Sequence, residues 1–401
     1  MIRSTLQLLL IIGITSFSPV YSGLVCPTGT KNAGEEQCVD VSYSTHPTQQ
    51  CNDNTLALKS LMTHKSAHGD ILIELLGPAD VKDSAAIVIT APHGGSLKPI
   101  YIKTRKKRGP YCDGSCVVSK DSYTKEIALE LGQKLINNYC KVPYVVINHL
   151  HRSKLDANRE IGEAAQGDPI AESAWLEFHD FIQEAQTKIL SKHGEVVNTK
   201  SEVAIKGLLL DVHGYAGTDF VPTAGSPFIQ WGYRMSKTSL DPNEYCKLDS
   251  RSQGTIGTYT HARFMPDQSL ECLVRGPNSL GSRVASMMPI AGASDSCGLG
   301  LPSFEFPSPK ETTNDPDYCD DIPCHYYSGG YDVNVHEHLY WDSKSGNMMN
   351  TVQMELPRCI RFADGTRSGR KETHNSFADK LSIALCSFMK DLFQDQSICS
   401  I

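Results

Sequence analysis

The chain alternates short, wholly apolar runs with longer segments in which apolar residues recur every three or four positions. "ILIELLG" at 71–77 and "AAIVITA" at 85–91 read as strands, each apolar and bounded by turn residues. "DSYTKEIALELGQKLINNYC" at 121–140 has helical spacing behind Asp121, read as its capping residue, and "YVVINHL" at 144–150 is a further strand. "GDPIAESAWLEFHDFIQEAQTKIL" at 167–190 opens on Asp-Pro, a capping and first-turn pair, and continues as a long amphipathic helix. "AIKGLLLDVHG" at 204–214 and "TVQMELPR" at 351–358 are buried strands, and "HNSFADKLSIALCSFMKDLF" at 374–393 is a closing helix. This alternation predicts an α/β domain over 71–401 with a largely parallel central sheet flanked by helices. Residues 215–350, rich in Gly, Pro and Ser, read as long loops over the sheet edge.

The ends of the chain refine this picture. "MIRSTLQLLLIIGITSFSPVYSG" has one Arg, an apolar core too short for a membrane span, and small residues near Ser22 and Gly23. That is the pattern of a secretory leader over 1–22, and no other stretch is apolar enough to cross a bilayer. The expected mature protein is secreted and extracellular. Residues 23–70 are polar and carry three of the cysteines, which suggests a disulfide-tied N-terminal extension. Fourteen cysteines in a secreted chain favour disulfides over a zinc module, because only Cys112 and Cys116 approach paired spacing.

The formal net charge of −7 argues against a nucleic-acid partner. One basic run, "RKKR" at 105–108, is read as a solvated loop, with cleavage after Arg108 by a basic-site processing protease as the sharper alternative.

Candidate chemistry gathers where strands end. His93 follows the 85–91 run, and His149 and His151 follow the 144–150 run and lead into "HRSKLDANRE". Asp211 and His213 end the next strand, and Glu355 the last. Ligands of open α/β sheets bind at the carboxyl ends of strands, and each of these groups is a costly polar end on an apolar run. Two imidazoles and a carboxylate suit a zinc ion, and a separate carboxylate can serve as general base. An Asn-Arg pair, Asn158 and Arg159, can take a substrate carboxylate on the planar guanidinium fork. The two His of "HEH" at 336–338 read as surface histidines.

"APHGG", "LDANRE", "LLLDVHG", "SGGYDVNVH" and "VQMELPRCIR", in this order, resemble the N-formylglutamate amidohydrolase family, within the zinc carboxypeptidase-like and aspartoacylase-like hydrolases. The resemblance spans roughly residues 85–390. It implies a phosphorylase/hydrolase-like fold, a bound Zn2+ and hydrolysis of an amide next to a carboxylate. By this resemblance His93 and His213 are metal ligands, Glu355 is the general base and then acid, and Asn158 and Arg159 hold the substrate carboxylate. Gly329, Gly330 and Tyr331 match a glycine-rich pocket loop in which Tyr331 donates a hydrogen bond. Related enzymes often place a carboxylate ligand three residues after the first His, where this chain has Ser96. The third ligand is then Asp121, with Asp211 as its competitor. Secretion points away from formylglutamate itself, since deformylases of histidine breakdown work inside cells. The substrate class is a small N-acyl amino acid or peptide with a free carboxylate. The alternative is a secreted binding or matrix protein that keeps the fold without catalysis.

Overall fold

A strand that shows no polar side to solvent must be covered on both faces. The computed structural model describes residues 51, 53–196, 203–215, 229–234, 279–287, 329–337 and 348–399. Within these, β3 (Ser84–Ala91) and β4 (Val142–Asn148) are buried at every position, as their continuous apolar runs require. Around them lie β1 (Lys59–Lys65), β2 (Ile71–Gly77), β5 (Gly194–Val196), β6 (Val203–Gly214), β7 (Gln230–Gly232) and β8 (Met348–Leu356). The sheet runs β1-β2-β4-β3-β6-β8-β7, with β5 paired to β6 off this path.

The centre, β4-β3-β6-β8, is parallel throughout. Both flanks are antiparallel: β1 and β2 on one side, β7 on the other. The sequence pattern anticipated the parallel core. It placed residues 59–65 in the extension, whereas they form the edge strand of this sheet. Cys51 is joined to Cys140, so the chain entering β1 is fixed to the end of the first helix.

That helix, α1 (Thr124–Tyr139), connects β3 to β4. The short α2 (Ile161–Ala165) and the long α3 (Pro169–His193) carry the chain from β4 back across β3 to β6. Right-handed crossovers in opposite directions put their helices on opposite faces. Accordingly α1 packs with α7 (Arg367–Leu392) on one side of β3, β4 and β6, and α3 packs on the other. Asp168 caps α3 as the sequence indicated, accepting from the backbone N–H of Ile170 and Ala171. The segments α4 (Leu280–Ser286), α5 (Tyr331–Val335) and α6 (Arg358–Phe362) complete the described α-helices.

This topology fixes where a site can be. The chain leaves β3 toward β4 and leaves β6 toward β8, so the loops at their carboxyl ends diverge. A crevice opens between them, the expected ligand position in such sheets. Beyond the three disulfides Cys51–Cys140, Cys112–Cys116 and Cys386–Cys399, no described cysteine is free. No described helix is long and apolar enough to cross a membrane. The leader at 1–22 and most of the 23–70 extension lie outside the described residues.

Candidate metal centre

His93 stands two residues past β3, at the mouth of that crevice. The glycines after it are there for backbone approach. A side chain on Gly94 would strike the backbone of Lys125, and one on Gly95 the carbonyls of His149 and Leu150. The turn is therefore pressed between α1 and the end of β4, and Asn148 Nδ2 anchors it by donating to Pro92 O at 2.8 Å.

Asp121 reaches the same point from the segment before α1. The structure corrects its reading as a helix cap: Tyr123, at φ 71°, occupies that position, with no side-chain cap bond. The Asp121 backbone carbonyl accepts from Thr124 Oγ1 at 2.8 Å, which leaves the carboxylate for other partners. Arg361 holds this segment in place, donating to the carbonyls of Ser122, Leu356 and Tyr215.

The three side chains meet as a triangle. His93 Nδ1 lies 3.0 Å from His213 Nδ1, and Asp121 Oδ2 lies 3.2 Å from each. Behind each imidazole is a carboxylate: Asp156 Oδ1 at 2.6 Å from His93 Nε2, and Asp211 Oδ2 at 2.7 Å from His213 Nε2. A ring that donates Nε2–H to its carboxylate presents a lone pair at Nδ1. Both rings so arranged, with Asp121, aim three acceptors at one point. Acceptors this close repel unless a positive charge lies among them. Tetrahedral zinc with ligands at about 2.0 Å would set its ligand atoms about 3.3 Å apart, close to the edges observed. The donor set and its spacing thus fit a divalent ion. Asp211, the competing third ligand, instead faces the far nitrogen of His213 and also accepts from Thr90 Oγ1 at 2.6 Å.

The electrostatics agree. When protons rather than a metal ion hold the triangle together, burial opposes charge on Asp121, but hydrogen bonds from His213 and His93 outweigh it and hold its carboxyl far below the usual range. Burial also opposes charge on His213, yet the carboxylates of Asp211 and Asp121 raise its pKa well above that of a free imidazole. The pocket stabilises positive charge at the triangle. Around it, Asp156 is buried against Arg152 Nε at 2.8 Å and Arg105 at 3.5 Å. Desolvation pushes the Asp156 pKa up, and Arg152, His93 and Arg105 drive it well below the ordinary value. Arg105 also donates to the carbonyls of Glu163, Val117 and Arg152, so the first residue of the basic run is locked inside while Lys106, Lys107 and Arg108 are exposed.

Glu355 is the register partner of His213 on β8, and Gln353 that of Asp211. Partners on adjacent parallel strands project to the same face, so Glu355 sits beside His213. Gln353 Nε2 donates to Glu355 Oε1 at 2.8 Å, while Gln353 Oε1 accepts from Gly330 N at 2.6 Å.

Asn158 and Arg159 part company. Asn158 Nδ2 is 3.1 Å from His213 Nε2 and its Oδ1 accepts from Asp332 N at 2.8 Å, so the amide is engaged inside the network. A side chain on Gly330 would strike that amide. Arg159 faces outward, pairs with Glu163 at 3.3 Å, and lines a cleft of about 720 Å³ together with Gly329, Gly330, Tyr331 and Arg234. Asp156 pairs with Arg152 and Arg105 rather than with Arg159. The cleft lining does not include the triangle. Asn158, Gly330 and Gln353 form the link between the two.

The sequence reading missed Arg105, Arg152 and Gln353 as supports of this centre, and treated His336 as a surface residue. His336 is fully buried, and His338 lies outside the described residues. His336 belongs to a second buried group, with His179 and Asp332. One signal was present in the sequence: His179 falls on the apolar stripe of α3 with Trp175, Phe178 and Ile182, where a solvent-facing histidine would not be.

No protein-family model and no curated protein matches the chain. Among solved structures, N-formylglutamate amidohydrolase from Ralstonia eutropha aligns with 78% of this chain and 97% of its own, at 12% identity and a TM-score of 0.37. A gene product of Agrobacterium tumefaciens aligns with 79% of this chain and 94% of its own, at 11% identity and a TM-score of 0.36. Likeness at this level assigns neither family nor activity.

Proposed function

We propose that this chain is a secreted, zinc-dependent hydrolase of C–N amide bonds in small N-acyl amino acids or peptides that bear a free carboxylate. The observation that carries the reading is the triangle of His93, Asp121 and His213, three acceptors backed by two further carboxylates, with Glu355 beside it. The motif resemblance supplies the reaction class.

His93, Asp121 and His213 would hold the ion. When bound there, a divalent ion polarises a carbonyl oxygen and makes water a better nucleophile at neutral pH. Asp156 and Asp211 fix the tautomer and orientation of the two rings. Glu355 takes the proton of the attacking water and returns it to the leaving amine, a role suited to a carboxylate that Gln353 orients beside His213. Arg159, on the cleft wall, takes the substrate carboxylate. Asn158 acts behind it as a positioning residue.

The test is metal analysis of the purified protein, followed by a panel of N-acyl amino acids and short peptides. Stoichiometric zinc that His93→Ala removes, together with turnover of the panel, supports the proposal. Metal without turnover would favour the binding protein. A protein with no metal at this centre would sink both.

A further inference from the structure

A second group of ligand-bearing side chains adjoins the centre just described: its Asp332 also comes within 4.8 Å of ligand atoms of Asp211 and His213. His179 comes from the middle of α3, and Asp332 and His336 come from α5 and its capping position. Asp332 and His336 are four residues apart, and the backbone bond from His336 N to Asp332 O at 3.0 Å makes this a helical turn, so the two lie on one face. All three residues are fully buried. His179 Nδ1 is 2.7 Å from His336 Nε2, the rings stack at 19°, and one donor atom from each of the three residues lies within 4.8 Å of the others.

Polar groups in such a place need partners, and among the described residues Asp332 and His336 leave three polar atoms without one. Neither oxygen of Asp332 and not the Nδ1 of His336 has a hydrogen-bond partner among the described residues. A buried carboxylate without donors costs several kcal/mol if charged. Burial and the like charges of Asp211 and Asp156 oppose ionisation of Asp332, against the favourable pull of His213 and Arg159. Nothing in the hydrophobic packing requires Asp and His at these positions. Phe178, Trp175 and Tyr331 already surround His179 with rings.

We infer that His179, Asp332 and His336 form a second site for a divalent transition-metal ion, distinct from the one at His93. Two imidazoles and one carboxylate are a donor set for zinc and its neighbours in the first transition row. A cation would neutralise Asp332, account for the convergence of the two rings, and bind α3 to α5. Zinc ligands sit about 3.3 Å apart, so closing a group spread over 4.8 Å requires a shift of no more than about 1.5 Å. Tyr331 lines the cleft and packs edge-on against the His179 ring, so the tyrosine ring stands between that imidazole and the cleft. Bound there, an ion would fix Gly330 and Tyr331 on the cleft wall.

The experiment strips the full-length protein with a chelator and titrates it with Co2+, following d–d absorption and bound metal by equilibrium dialysis. Wild type should bind two equivalents per chain, and His336→Gln and His93→Ala one each. A wild type that binds one equivalent, retained in His336→Gln, overturns the inference and leaves Asp332 neutralised by a proton. One equivalent retained in His93→Ala and lost in His336→Gln would uphold the second site while refuting the metal assignment under the proposed function. No binding at all refutes both. Two equivalents in wild type uphold the second site even if a variant fails to fold, and Asp332→Asn stands in for His336→Gln in separating the one-equivalent outcomes.

Discussion

Glu355 and Arg159 carry different parts of the proposed reaction, and single substitutions separate them. Gln at 355 keeps the shape of the side chain but cannot accept a proton. Glu355→Gln should therefore retain the metal and lower kcat by roughly a hundredfold or more, as loss of a positioned general base does. Near-normal turnover in a metal-replete variant would make Glu355 structural. Arg159→Ala should cost about tenfold to a hundredfold in kcat/KM on a substrate with a free carboxylate, and far less on the matched primary amide. Equal losses on both substrates would mean that Arg159 only braces its own loop through Glu163. The placing of His93, His213 and Glu355 together at strand ends could be read from the sequence because each ends an apolar run, where a carboxylate or imidazole is costly to bury and packing alone would not select it. Their supports could not. Asp156 reaches His93 across 63 residues, and Thr90 reaches Asp211 across 121, pairings that only the fold creates. Asp121 was found through resemblance, and its helix-cap reading failed because Tyr123 makes the turn instead.

At the level of elements, the apolar runs located β2, β3, β4, β6 and β8, since burial on both faces leaves an unmistakable pattern. β1 escaped notice because its pattern is mostly exposed, as an edge strand's is. What holds this edge is partly covalent. The Cys51–Cys140 bridge closes a loop with a sequence separation of 89, for which the chain-entropy model gives about 4.6 kcal/mol, while disulfides typically stabilise by roughly 2–4 kcal/mol. Replacing both cysteines by Ala should lower the urea midpoint accordingly, with β1 gaining hydrogen exchange first. An unchanged midpoint would show that β1 and its neighbours are held by the sheet alone.

For the molecule as a whole, buried histidine makes acid the vulnerable direction. Burial depresses the His179 pKa to about 3 from an unfolded value near 6.5. The folded state then binds fewer protons than the unfolded state between these values. Stability from this group is complete above about pH 6.5 and declines as pH falls toward 3, by at most about 1.4 kcal/mol per unit. Asp156, whose pKa is also lowered, adds a second loss below the ordinary carboxylate range. The melting temperature of the chelator-treated protein should fall steadily from about pH 6.5 to 4, and it should also decline above about pH 7 as His213, whose raised pKa favours the folded state when protonated, loses its proton. A flat profile between about pH 6.5 and 5 would contradict a neutral, buried His179.

The bridge from Cys51 to Cys140 also has a topological meaning: it makes the intervening chain a closed ring, with both His93 and Asp121 on it and His213 outside. The exposed Lys106–Arg108 segment lies on the same ring. A protease that cut after Arg108 would open the ring without releasing a fragment, converting one chain into two that travel together. On a denaturing gel the cut protein should run as a single species until a reductant is added, and only then as two. Processing at this point would leave two of the proposed metal ligands on different polypeptides, joined to each other by sulfur.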